Sequence, residues 1–144
     1  MQARALVVDL GRLLSIDLAP DNAGHCALRI SVTVVVVAVS EDGKTLSFEA
    51  MIADACEHDF RAALEANHSG DFGATFVSLD PVETAFIARE VIAAERVTSD
   101  DLNIALCRFV DRVAALRAHF VDGDTLAAVS EDRDTAGEVV LMRV

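Results

Sequence analysis

The spacing of apolar positions changes period several times along the chain, and each change marks an element. Leu6, Leu10, Leu13 and Leu14 recur at helical spacing with Asp9 and Arg12 on the wet side, which predicts a short amphipathic helix over residues 3–15. LAPDNAG is turn chemistry, and in HCALRI the residues Cys26, Leu28 and Ile30 alternate with His25, Ala27 and Arg29, the period of a strand. VTVVVVAV, from Val32, is β-branched on both faces, as in a strand covered on both sides: a central one, or one covered by a partner. Asp42-Gly43 in SEDGK turns that run into TLSFEAMI, where Leu46, Phe48, Ala50 and Ile52 alternate with Thr45, Ser47, Glu49 and Met51.

A second helix is predicted over DACEHDFRAALEANHSG, with Cys56, Phe60, Ala63 and Leu64 on one face and an ending at Asn67 to Gly70. FGATFVSL and TAFIAREV, separated by the Asp80-Pro81 turn, predict another antiparallel pair, with Phe72, Phe76, Phe86, Ile87 and Val91 available for burial. Thr98 or Ser99 caps a last helix whose apolar stripe is Leu102, Leu106, Phe109, Val113, Leu116 and Phe120. Gly123 is placed to stop it, before an acidic stretch from Asp122 to Asp134 and a final VVLMRV that reads as a sixth strand or a loose tail. The order α-β-β-β-α-β-β-α predicts an α+β fold: an antiparallel sheet of about five strands with three helices covering its apolar faces. The 144 residues read as one domain, with a core over about 3–121 and an acidic tail over 122–144.

Composition adds a tension to this picture. Apolar residues make up 53% of the chain and mean hydropathy is +0.38, yet the formal charge is −12. An oily small domain with a strongly acidic remainder suits an obligate oligomer or a partner-binding protein. With 24 Asp and Glu against 12 Lys and Arg and neither Trp nor Tyr, there is no basic stripe for phosphates and little to stack on bases, so nucleic acid is set aside. The longest uninterrupted apolar run, Val34 to Val39, is far shorter than a membrane span, and MQARALVVDLGR lacks signal-peptide order, so a cytoplasmic protein is expected.

Candidate chemistry is sparse. Cys26, Cys56 and Cys107 form no CxxC pair and read as buried structural thiols in a reducing compartment. His25, His58, His68 and His119 fall in no metal-ligand pattern, so neither metal nor cofactor is expected. Glu57-His58-Asp59 is a run of helix neighbours that point in different directions, and Ser69 to Gly73 only mimics the kinase metal loop without its companion motifs. No GxSxG, P-loop or GxGxxG occurs, and the protein is not expected to be an enzyme; a small α+β enzyme is the remote alternative.

The element order, helix two ending in LEANHSG, the strand pair broken at LDP and the segment VTSDDLNIALCRFVDRVAALRAHF together resemble class I type III secretion chaperones. That family is typified by the chaperone of the translocated intimin receptor. LVVDLGRLLSIDLAPDNAGHCALRI is similar to the family's first helix, Gly-containing connection and first strand, so the resemblance covers about residues 3–121. Leu116-Arg117 stands where relatives often carry a Trp, and VTVVVVAV is oilier than their usual second strand. A regulator-type fold resembling YbjN shares the topology, so a non-catalytic regulatory or adaptor module is the alternative reading.

The resemblance implies an ATP-independent homodimer that holds the N-terminal region of a secreted effector in extended form, ready for export. The effector would place apolar anchors beside helix one and add a strand to a sheet edge by β-augmentation. Leu6, Leu10, Val32, Val34 and Phe48 are the candidates for this groove. Helix two and the strand after it, the elements the family generally uses to dimerise, nominate Phe60, Leu64, Phe72 and Phe76.

Overall fold

The computed structural model describes residues 2–55 and 57–136. Its elements are α1 (Gln2–Leu13), β1 (His25–Ile30), β2 (Thr33–Val39), β3 (Thr45–Asp54), α2 (Glu57–Ser69), β4 (Phe76–Asp80), β5 (Ala85–Ala93) and α3 (Ser99–Ala136). The expected order of three helices and five strands is therefore the observed one. All strand pairs are antiparallel, and the spatial order β1-β2-β3-β5-β4 leaves β1 and β4 at the edges.

Period-2 alternation decides which strand residues face the helices. Val35, Val37 and Val39 of β2, Leu46, Phe48, Ala50 and Ile52 of β3, and Phe86 and Ala88 of β5 are all buried. Against them lies α3, whose stripe of Leu102, Leu106, Phe109, Val113, Leu116 and Phe120 is buried throughout, as its spacing predicts. Aromatic rings tie the layers, with Phe48 and Phe109 at 5.7 Å between centroids and Phe86 and Phe120 at 5.3 Å. The helix begins in a capping box: Thr98 Oγ1 accepts from the Asp101 amide, and Asp101 Oδ2 accepts from the Thr98 amide and hydroxyl. Thr98 is therefore the cap, with Ser99 the first helical residue.

Several sequence expectations are corrected. Gly123 does not stop α3, because one glycine costs about 1 kcal/mol relative to alanine, too little to break a helix already anchored by its packed stripe. VTVVVVAV forms an interior strand that is covered on one face within the single chain, which leaves its other face for a partner: Val34 is 46% exposed, and Val32 lies in the two-residue turn before β2, 86% exposed. β4 starts at Phe76 and not Phe72, since Gly70 and Gly73 both take positive φ and hold 70–75 in turns. A side chain at Gly73 would also meet the Arg112 guanidinium at 2.6 Å.

Of the β4–β5 apolar set, Phe86 faces the core, whereas Phe76 and Val91 lie on the far face and are exposed. The buried face of α2 is Ala62, Ala63 and Ala66, small enough for close approach to α3, and Leu64 points outward. Cys107 is exposed and Cys26 half-buried, so the thiols are not uniformly interior. The VVLMRV segment and Cys56 lie outside the described residues.

Asp21, Asp42 and Asp101 are held below the ordinary carboxylate value of 3.8 by hydrogen bonds from the His25 amide, the Ser40 hydroxyl and the Thr98 amide respectively. A depressed folded pKa contributes stability that is present above the unfolded value and lost as pH falls through the folded one. Asp101→Asn should therefore melt below wild type at pH 7, with the gap closing as the pH falls below the ordinary carboxylate value; a constant gap between the two curves would contradict this account of the cap. Phe109→Ala is expected to cost about 3–5 kcal/mol in urea unfolding, because a ring at the centre of the core leaves a cavity.

Candidate protein-interaction surfaces

With all three helices packed on one side, the other face of the sheet carries no helix among the described residues. Abreast along one row of that face lie Ala27, Val36, Glu49, Arg89 and Phe76. Glu49 and Arg89 form a cross-strand ion pair there, with Arg89 Nε donating to Glu49 Oε1 at 3.0 Å. On one side of this row stand Val34, Met51 and Ile87 with Arg29 and Ser78, and on the other Ala38 and Val91 with His25 and Ser47; Val34, Met51 and Val91 are exposed. This mixed face carries some of the chain's apolar surplus, and the ion pair ties two of its strands together.

The two sheet edges differ. At β4, the side-chain amide of Asn67 at the end of α2 grips Val77 like a neighbouring strand: Nδ2 donates to the Val77 carbonyl at 2.9 Å and Oδ1 accepts from its amide at 2.7 Å. At β1, the backbone of His25 is engaged by the turn before it, its amide donating to Asp21 Oδ1 and its carbonyl accepting from the Asp21 amide. From Cys26 to Ile30, β1 is paired to β2 on one side only. Burial, with the neighbouring charge of Asp21, pushes the Cys26 thiol pKa up, which keeps it a packing group.

The proposed groove residues divide by burial. Leu10 and Phe48 have no exposed surface and Leu6 only 8%, so these three belong to the core under α3 and the groove assignment is corrected for them: apolar spacing alone does not distinguish an inward from an outward stripe. Val32 and Val34 are exposed. Beside the outer face of α1 there is instead an open groove of about 470 Å³ lined by Arg4, Val8, Asp9, Arg12, Ala19 and Pro20. Arg4 frames it by donating to the carbonyls of Pro20 and Asp21. Val8 follows Val7 in the apolar run of α1, but the stripe drawn through the leucines left it out.

The dimerisation candidates also divide. Phe60 and Phe76 are partly exposed and Leu64 is 69% exposed, with Leu79 of β4 exposed close by in sequence. Phe60 additionally stands edge-on to Phe86 at 5.4 Å, which fixes its ring from below. Phe72 is packed against the core and against His119, whose Nε2 lies 3.0 Å from the Ala62 carbonyl, so it serves the α2–α3 contact.

Two polar residues escaped the sequence reading. Glu90 is buried on the helix side of β5, where its Oε2 lies 3.6 Å from Arg112 Nη1 and accepts from Thr75 Oγ1 at 3.3 Å. Its signal was the alternation Phe86, Ala88, Glu90, which places it inward despite its charge. Arg117 donates to the Met51 carbonyl through Nε and Nη2 at 3.2 and 2.8 Å, and to Thr33 Oγ1 through Nη1 at 3.1 Å. No group of three or more His, Cys, Asp or Glu among the described residues is arranged to hold a metal ion, and none of the described helices is long and apolar enough to cross a membrane.

The model of the Tir chaperone protein (CesT) family matches residues 5–117. No curated protein sequence matches the chain. Among solved structures, a chain of the HopA1–SchA chaperone–effector complex superposes with a TM-score of 0.70 at 15% identity, over 81% of this chain and 94% of that one. A chain from the ExoT–SpcS complex of Pseudomonas aeruginosa gives 0.63 at 16% identity, covering 81% and 97%. One from the Yersinia pestis type III secretion chaperone SycH with a stable fragment of YscM2 gives 0.61 at 17% identity, covering 79% and 98%. At these identities the likeness is one of fold.

The Asn67 bracket supplies both hydrogen-bonding groups of one edge residue. Asn67→Ala should lower unfolding stability by about 1–3 kcal/mol and speed amide exchange at Val77; unchanged exchange there would mean that β4 does not depend on the bracket.

Proposed function

The chain belongs to the Tir chaperone protein (CesT) family, and from that membership we infer that it is a type III secretion chaperone that binds the N-terminal region of a secreted effector and keeps it competent for export. The reading is of a non-catalytic, ATP-independent protein working in the bacterial cytoplasm. What carries it is the family match over residues 5–117. The surfaces described above suit the task. A bare sheet face and an open groove beside α1 offer sites for the apolar side chains of an unfolded segment, while β1 offers main-chain partners for an added strand. An acidic surface keeps such a sticky protein soluble and disfavours contacts between copies that are not specifically matched.

The same reading includes a homodimer, and α2 with β4 are the elements that present apolar side chains for it. Phe60, Leu64 and Phe76 are its proposed contacts; a stable interface of ordinary size buries about 1,600 Å² in total. Leu64→Glu should give a folded monomer at micromolar concentration, with the wild-type circular dichroism spectrum because the side chain already stands in water in the single chain, and with a melting temperature lowered by the loss of the dimer contact. A dimer surviving that change by light scattering would move the interface elsewhere.

Co-expression with the first ~150 residues of candidate effectors, followed by size-exclusion chromatography with light scattering, is expected to yield a complex of two chains with one effector segment. Val34→Asp, on the bare face, should reduce capture about tenfold or more without affecting folding. A chain that ignores every effector segment but binds a folded regulator would instead support the regulatory-module reading.

A further inference from the structure

Alternate residues of an edge strand turn their main-chain amide and carbonyl away from the sheet, so the register of β1 on β2 decides which residues can receive a further strand. Two sets of bonds fix that parity. The Gly24 carbonyl accepts from the Val39 amide at 2.7 Å, which turns the groups of Cys26, Leu28 and Ile30 toward β2 as well. His25 is turned the other way, and both of its main-chain groups are taken by Asp21. Ala27 and Arg29 share the parity of His25 and have no strand beside them. The open edge is therefore two residues long and offers two amides and two carbonyls.

We propose that this edge takes an extended segment of a client protein, antiparallel to β1, with an acidic residue directly opposite Arg29 and an apolar residue on each side of it in sequence. This register rests on the reading of the chain as a chaperone of unfolded segments and adds to it the chemistry of the segment that β1 receives.

That chemistry follows from what β1 presents on its two sides. Toward the helices stand Leu28, buried, and Cys26 and Ile30, partly buried and packed against the core. Apolar side chains laid beside these three extend the existing cluster and take the remaining surface of Cys26 and Ile30 out of water. On the helix-free side stand Ala27 and Arg29, both exposed. No carboxylate among the described residues lies within 4.0 Å of Arg29. Its neighbour on that face is Val34 of β2, and the acid of the adjoining row, Glu49, is held by Arg89. An opposite charge directly across a strand pair stabilises the pair, and a like charge destabilises it. Along the client, the five residues opposite Ile30 to Cys26 thus run apolar, acidic, apolar, unrestricted, apolar.

Both ends of the site are closed. Beyond Ala27 the groups of His25 are occupied by Asp21, and beyond Ile30 the chain turns at Ser31, with φ 56°. A longer segment gains no further main-chain bonds from β1. A second copy of β1 would set Arg29 opposite Ala27 or another Arg29 and leave the cation unmatched, so a client segment is the better occupant.

The probes are two nine-residue peptides, acetylated and amidated, alternating Thr and Val from a first Thr, with the central residue Asp in one and Lys in the other. Each is titrated into the 15N-labelled full-length protein. The Asp peptide should slow amide exchange at Ala27 and Arg29 while leaving that of His25, already bonded to Asp21, unchanged. It should bind about threefold or more tightly than the Lys peptide. Arg29→Glu, a change at an exposed position that should keep the wild-type melting temperature, should lower that ratio about tenfold. Comparing ratios cancels the general attraction of a chain of net charge −12 for a basic peptide. A ratio unchanged by Arg29→Glu, or failure of both peptides to bind at millimolar concentration, would overturn the proposal. So would protection of Ala27 and Arg29 that grows with protein concentration in the absence of peptide, which would give the edge to a second copy. Effector capture that persists while both peptides are ignored removes this register and leaves the chaperone reading standing. Peptide binding as described with no effector captured removes the chaperone reading alone.

Discussion

The packing of α3 across one face of the sheet is the contact on which the rest of the structure depends. Its six buried stripe residues fill the space above β2, β3 and β5, and the flanking helices are seated by it: α1 through the core cluster, α2 through three alanines that permit close approach. A single helix can play this part because its stripe recurs every three to four residues for nearly twenty residues, matching the width of a five-stranded sheet. Once one face is satisfied, no element among the described residues remains for the other, and the bare face follows directly.

That asymmetry also explains where polar groups are tolerated inside. Glu90 sits on the crowded face with Arg112 and Thr75 both reaching its Oε2, and Gly73 must lack a side chain for Arg112 to lie where it does. A buried carboxylate without such partners would be strongly destabilising. On the bare face, the Glu49–Arg89 pair needs no such support, since water still reaches it. The two pairs involve Glu90 and Arg89, neighbours in sequence that point to opposite sides of one strand, so a one-residue slip of β5 would exchange a buried acid for a buried base and break both.

Much of this was legible in the sequence. Element order, the α3 stripe, the Thr98 cap and the Asp42-Gly43 hairpin are local patterns whose cause lies within a few residues, and they appear where spacing puts them. What was not legible depends on which side of an element meets another. Leu10 and Phe48 have the spacing of groove residues and are core, while Ala63 and Leu64, which spacing puts on one face of α2, divide into a buried and an exposed residue. Periodicity tells which residues share a face but not whether that face is covered. Arg117 was invisible for a further reason: its bonds join Thr33 of β2 to Met51 of β3, a property of two strands and a distant helix together.

The contrast between the sheet's two edges bears on growth. A sheet with two open edges is bivalent: each unit can take a strand on either side, and copies or clients can run on into fibres. Here Asn67 occupies Val77 in the middle of the short β4 edge, whereas β1 runs from Cys26 to Ile30 with no such bracket among the described residues. An added strand is therefore favoured at β1 over β4, and growth from both edges of one sheet is disfavoured.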